Sequence, residues 1–163
     1  MVFEGISWYG RTGLHFHDGI VNSESYQECV DECVVPSLHD PEYLYMPKSV
    51  KGHFMQDGAS CHMSKSTEMM LRSALPKGWT FDKKGEWPAN SPDLNPIENI
   101  WAVLKDKVIA RAPRTVVELR EVLEEEWWAI PQGYIRALIE SMPTRLDRIR
   151  DVNGGRFQGS GLI

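Results

Sequence analysis

Two carboxylates in this sequence occupy positions from which carboxylates can do chemistry. Asp57 closes "KGHFMQDG", a short β-type run that ends on an Asp-Gly pair. In open α/β sheets, ligands gather beyond the C-terminal ends of strands. Glu98 lies in "WPANSPDLNPIENIW", where three prolines and three asparagines crowd into residues 87–99. Asn95 suits a helix N-cap, Pro96 the first helical position and Glu98 the third. There the positive end of the helix dipole favours an ionised carboxylate. Ionised carboxylates on rigid elements are what Mg²⁺ needs. Paired ions of this kind activate a nucleophile and a leaving oxygen in phosphoryl transfer at DNA. Each residue also has an ordinary use: an Asp at a strand end shapes a turn, and a Glu at the third position of a helix partners a cap.

The elements that must position these residues can be read from patterning. "MVFEGISWYG" and "GLHFHDGIV" are β-type runs joined by "YGRTG", a hairpin. "NSESYQECVDECVVPSL" reads as a helix capped by Asn22 or Ser23 and ended by Pro36. "SKSTEMMLRSAL" is a second helix, stopped by "PKG", and "GWTFD" a short strand. A helix is expected from about Pro96 to Arg111, with Ile97, Ile100, Trp101, Leu104 and Val108 inward. Thr115 and Glu118 form a capping box for a further helix, with Val116, Leu119, Leu123 and Trp127 inward. Helices around Pro131–Glu140 and Pro143–Val152 follow, and "NGG" stops the last. This order makes an α/β protein with a mixed sheet.

Composition narrows the class. The 163 residues suit one domain, and 42% hydrophobic with 25% charged residues is a globular balance. A net charge of −5 gives no sign of nucleic-acid binding, but charge is uneven. Between 136 and 156 stand Arg136, Arg145, Arg148, Arg150 and Arg156, which suit either phosphate or a solvated helix face. "ELREVLEEE" is strongly acidic. Three cysteines, Cys29, Cys33 and Cys61, fit a reducing compartment. With His62 they form a rival zinc reading, although the spacing fits no usual finger. His15 and His17 alternate on a strand and read as structural. Trp127 and Trp128 read as core plus surface. No apolar run approaches membrane-spanning length, and the start shows no signal peptide.

"FMQDGASCH" followed by "WPANSPDLNPIENIWAVLK" resembles the catalytic domain of the Tc1/mariner transposases, of the DDE superfamily. "GISWYGRTGLHFHDGIVNSESYQECV" resembles that family's second and third strands and first helix, and "SMPTRLDRIRDVNGG" its closing segment. The resemblance covers nearly the whole chain. It implies an RNase H-like mixed sheet flanked by helices, with a helical C-terminal region, as a single catalytic domain over 1–163. Asp57 and Glu98 become the second and third catalytic, metal-binding carboxylates, holding two Mg²⁺ or Mn²⁺ ions. His62 and Asn95 support them, and Asp93 hydrogen-bonds within its loop. Arg145, Arg148 and Arg150 are candidate DNA contacts. The implied partners are transposon-end and target DNA and a second copy of the chain. Neither a membrane nor a small-molecule substrate is implied, and the place of action is the nucleus. The reading from a different class is a non-catalytic DNA-binding or protein-interaction domain derived from such an element.

The chain departs from the family in two ways. Residues 58–97 put 40 positions between Asp57 and Glu98, several more than is usual, and "PKGWTFDKKGE" carries the surplus. Glu86 precedes the rigid loop and is a poor rival to Glu98. The family's first catalytic aspartate lies on a strand that would precede Met1, as would its helix-turn-helix region. Glu4 and Asp18 stand at positions unsuited to replace that aspartate. In the implied sheet the strand lies between "VFEGIS" and "HFMQD", and without it two inner edges are unpaired. The 163-residue chain is therefore expected to be marginally stable, poorly soluble or dimeric through that edge. Thermal unfolding and light scattering, with and without an added upstream strand, test this. A monomer unfolding as cooperatively and at as high a temperature as the extended chain would refute it.

Overall fold

The computed structural model describes residues 1–44, 46–86 and 91–151, with side chains as far as Arg148. "WPAN" at the head of the proline-rich stretch, "VNGG" and the Arg150 side chain lie outside the described residues. The chain divides into two compact units, Met1–Asn90 and Ser91–Ile163.

The first unit opens with the expected hairpin. β1 (Val2–Phe3) pairs antiparallel with β2 (His15–Phe16), placing Val2 opposite Phe16. An isolated bridge between Ile6 and Arg11 and a Ser7 N–H to Gly10 carbonyl bond close the turn. Gly10 is required there, because a Cβ would collide with the Tyr43 carbonyl. β3 (His53–Phe54) pairs in parallel with β4 (Thr80–Phe81). Among the described residues the strands form these two separate two-stranded sheets. α1 (Ser23–Cys29) is capped by Asn22, whose side chain accepts from the Glu24 and Ser25 amides. α3 (Lys65–Ala74) is capped by Ser64 and packs against α1. Tyr26, Val30, Leu38, Leu44, Leu71 and Leu75 are the buried core, with Phe3, Phe54 and Phe81 against it.

Pro36 does not end its helix. After α1 the backbone widens into a π-helical turn, Val30–Val34, and then tightens again into α2 (Val35–Ser37). The Val35 N–H reaches back five residues to the Val30 carbonyl. A proline ring presses on the carbonyl four residues back, and the widened turn relieves that pressure. The α-helical bond is re-formed one step later, from the Leu38 N–H to Val34.

The second unit is helical. A 3₁₀ turn, Pro92–Leu94, leads into α4 (Pro96–Arg111), followed by α5 (Val116–Ala129), α6 (Gln132–Glu140) and α7 (Met142–Asp151). α4 packs on α5 and α6, α6 on α7, and α7 on the 3₁₀ turn. Ile100, Leu104, Trp127, Ile135 and Leu138 are fully buried, whereas Trp128 is exposed. The expected stripe of α5 holds at Leu123 and Trp127 but fails at Val116, which is exposed. Residues 114–118 all face solvent, so among the described residues none covers the first turn of α5. Only half of its capping box forms. Thr115 accepts from the Glu118 amide, but the Glu118 carboxylate turns to the Arg114 N–H. The acid-rich face of α5 meets α4 through an exposed Arg111–Glu125 pair, which adds little, and through the half-buried Glu126, which accepts from both Lys107 and Arg111.

α4 ends on Ala112, the one described non-glycine residue with positive φ, at 48°. Its N–H still satisfies the Val108 carbonyl, but an alanine pays in steric strain for that left-handed geometry. Ala112→Gly should stabilise the protein by about 0.5–1 kcal/mol. The expected result is a higher urea midpoint with an unchanged slope.

Candidate functional site

Asp57 lies three residues beyond β3 and is half exposed. Its Oδ1 accepts the Ala59 N–H at 3.0 Å, the bond of an Asx turn. The turn that follows brings His62 back, with its Nδ1 2.6 Å from the same oxygen. The ring N–H is not aligned along that line, so this is a close polar contact rather than a hydrogen bond.

Buried groups hold this pair in place. The His62 ring lies over the Tyr26 ring, with centroids 4.0 Å apart and planes inclined by 34°. The Tyr26 hydroxyl donates to Gln56 Oε1 at 2.8 Å, and Gln56 Nε2 donates to the His62 carbonyl at 3.3 Å. The Gln56 backbone N–H, next to Asp57, donates to Asp82 Oδ2. The other oxygen of Asp82 meets His53 Nε2 at 3.0 Å, and His53 Nδ1 meets Thr80 Oγ1. The parallel pair of strands is thus fastened at its C-terminal end, where Asp57 leaves it. Burial keeps the Tyr26 hydroxyl protonated far above its ordinary range. Sequence reasoning missed Tyr26, Gln56 and Asp82. Gln56 is adjacent to Asp57, but nothing local marks Tyr26 or Asp82 as its partners.

The second carboxylate is built in the other unit. Asn95 caps α4, accepting the Ile97 N–H at 3.4 Å, and Pro96 takes the first helical position. Glu98 follows in the first turn, exposed, with its own N–H bonded to the Asn95 carbonyl. Leu94, 2% exposed, anchors the 3₁₀ turn ahead of it. Arg145 is also buried. It reaches the Asp93 carbonyl and the Asn99 and Ser141 side chains rather than solvent. A phosphate contact by Arg145 would require giving up those bonds. Arg148 is half-buried on α7. Asp57 and His62 therefore belong to the first unit, and Asn95, Glu98 and Arg145 to the second.

The cysteines are placed for packing. Cys29 and Cys33 are buried, and the Cys33 thiol donates to the Gly13 carbonyl. Burial pushes the Cys29 thiol up to about 12, so without a metal it stays protonated. Among the described residues no three His, Cys, Asp or Glu side chains gather as a metal cluster, and no helix is long and apolar enough to cross a membrane.

Comparison with known proteins follows this geometry. The profile of the family described as DDE superfamily endonuclease matches residues 3–120. The transposable element Tc3 transposase of Caenorhabditis elegans is 32% identical over 156 residues, which are 94% of this chain and 44% of that protein. This chain thus spans less than half of that relative's length. The crystal structure of the catalytic domain of Mos1 mariner transposase matches with a TM-score of 0.81 at 18% identity, over 96% of this chain and 75% of that one. A Mos1 transposase catalytic domain with Raltegravir and Mn matches with a TM-score of 0.74 at 19% identity, over 96% and 83%. These likenesses establish the RNase H-like α/β fold.

The support under Asp57 can be probed through Tyr26. Tyr26→Phe leaves the buried Gln56 Oε1 without its donor and should cost about 1–2 kcal/mol in urea denaturation. A change below a few tenths would mean that the hydroxyl contributes nothing to the network.

Proposed function

This chain belongs to the DDE superfamily of endonucleases, in its Tc1/mariner branch, and we propose that Asp57 and Glu98 are the second and third metal-binding carboxylates of a DNA-transposing active site. The observation that carries this reading is the way each is presented. Both are solvent-accessible carboxylates on backbone fixed by buried groups, Asp57 beyond a strand and Glu98 at the positive end of α4.

The donor set is hard oxygen, which suits Mg²⁺ or Mn²⁺. When bound, two such ions would activate a water nucleophile by easing loss of its proton and would supply a counter-charge for the leaving oxygen. Asp57 and Glu98 would hold the ions. His62 keeps the Asp57 carboxylate turned towards its Asx-turn orientation. Asn95 fixes the start of the helix that carries Glu98. Arg148 and Arg150, with Arg145, are the candidate phosphate contacts in this reading. Both units together make one catalytic domain in this reading. Its substrates are transposon ends and target DNA, its place of action is the nucleus, and it works as a homo-oligomer. The kinship with a eukaryotic element's transposase supports these assignments.

Nicking of DNA in Mg²⁺ or Mn²⁺ is the test. A version extended upstream by a strand carrying an aspartate should nick DNA, and Asp57→Asn or Glu98→Gln should return it to background. Cleavage by the short chain that Asp57→Asn removes would place the third ligand within these residues. Cleavage indifferent to both substitutions would sink the assignment.

A further inference from the structure

Arg145 stands in a cluster of arginines near the end of the sequence, yet its side chain is 5% exposed. A buried guanidinium needs a reason, because an apolar side chain of similar volume often makes a more stable core. Its bonds supply one. Nη1 donates to the Asp93 carbonyl at 2.9 Å, in the 3₁₀ turn. Nη2 donates to Asn99 Oδ1 at 2.9 Å, on the residue that follows Glu98. Nε donates to Ser141 Oγ at 2.8 Å, at the start of α7. The two Nη arms grip the chain on both sides of the Asn95 cap. Between them lie only Leu94, Asn95, Pro96, Ile97 and Glu98.

We propose that Arg145 is a positioning residue for Glu98: its planar fork sets the 3₁₀ turn and the first turn of α4 in fixed relation, and so aims the carboxylate. This rests on Glu98 being a metal-binding carboxylate. The fork geometry is essential to the role. A lysine offers a point charge on a flexible stem and cannot hold two acceptors at a set spacing. All three acceptors are uncharged, and burial disfavours the guanidinium charge more than Tyr134 and Asp93 support it. The arrangement therefore works as a hydrogen-bonded clamp on one backbone carbonyl and two side chains rather than as an ion pair.

The test uses the full chain and Mn²⁺ alone, with free Mn²⁺ followed by its paramagnetic resonance signal. Amide hydrogen exchange is measured alongside at Leu94 and Asn95, whose N–H groups bond the Ser91 and Pro92 carbonyls. Arg145→Gln and Arg145→Lys should each weaken Mn²⁺ binding about tenfold, as loss of a ligand's support does. Both should speed exchange at Leu94 and Asn95 while the interior of α5 stays protected. Asn99→Ala, which removes one arm's acceptor, should move both readouts in the same direction and carries the test if an Arg145 variant does not fold. Arg111→Gln, on an exposed ion pair of α4, should move neither.

Rescue of both readouts by Arg145→Lys would overturn the proposal, since charge alone would then suffice. So would unchanged Mn²⁺ affinity in folded Arg145→Gln. Glu98→Gln separates the two layers of the argument. If it leaves Mn²⁺ binding intact, the metal reading of Glu98 fails. If the parent chain binds no Mn²⁺, the same comparison is made in the version extended upstream by a strand carrying an aspartate, and binding there that Glu98→Gln leaves intact also ends that reading. Exchange at Leu94 and Asn95 then decides the clamp by itself, and retained protection in Arg145→Gln refutes it.

Discussion

A helix N-terminus leaves backbone N–H groups without partners, and the second unit is organised around meeting that demand beside an exposed carboxylate. Pro96 removes one of those donors, Asn95 accepts another, and a 3₁₀ turn braces the approach. The buried face of α4, with Ile100 and Leu104, sets the helix axis against α5 and α6. Glu98 can face water because everything one residue to either side is tied down. The proline-rich run is thus a device for stiffness: it makes the position of one side chain independent of the loop's own entropy.

In the first unit, core and site share a residue. Tyr26 packs with Val30, Leu38 and Leu71, and the same ring lies against His62 while its hydroxyl reaches Gln56. A change of volume in that core is therefore felt at the turn carrying Asp57. The opposite use of polar groups appears at Asp82, whose buried carboxylate holds strand to strand. Asp57, three residues past β3, remains accessible. One aspartate is bound up within the fold while the other stays open to solvent.

Much of this was legible in the sequence because the signals are local. Asn22, Ser64, Asn95 and Thr115 all sit at helix starts, and each accepts the backbone amide that its side chain predicts. The hairpin, the span of α4 and the place of Glu98 followed from turn chemistry and apolar spacing. The failures have a common cause, which is that partners distant in sequence decide them. Arg145 reads as a surface cation until the Asp93 carbonyl, 52 positions away, claims it. Val116 has the right period but is left 67% exposed. Tyr26 and Gln56 are 30 residues apart and carry no pattern that joins them.

The π-helical turn before Pro36 has a consequence for how such chains should be compared. One extra residue in a helix rotates everything beyond it by about 100° relative to an unbroken α-helix. Val30–Val34 therefore acts as a phase shifter between the face bearing Tyr26 and the face bearing Ser37 and Leu38. An alignment that assumes constant helical phase will slip at this point, and a single-residue gap within 30–34 is the placement that keeps both buried faces in register.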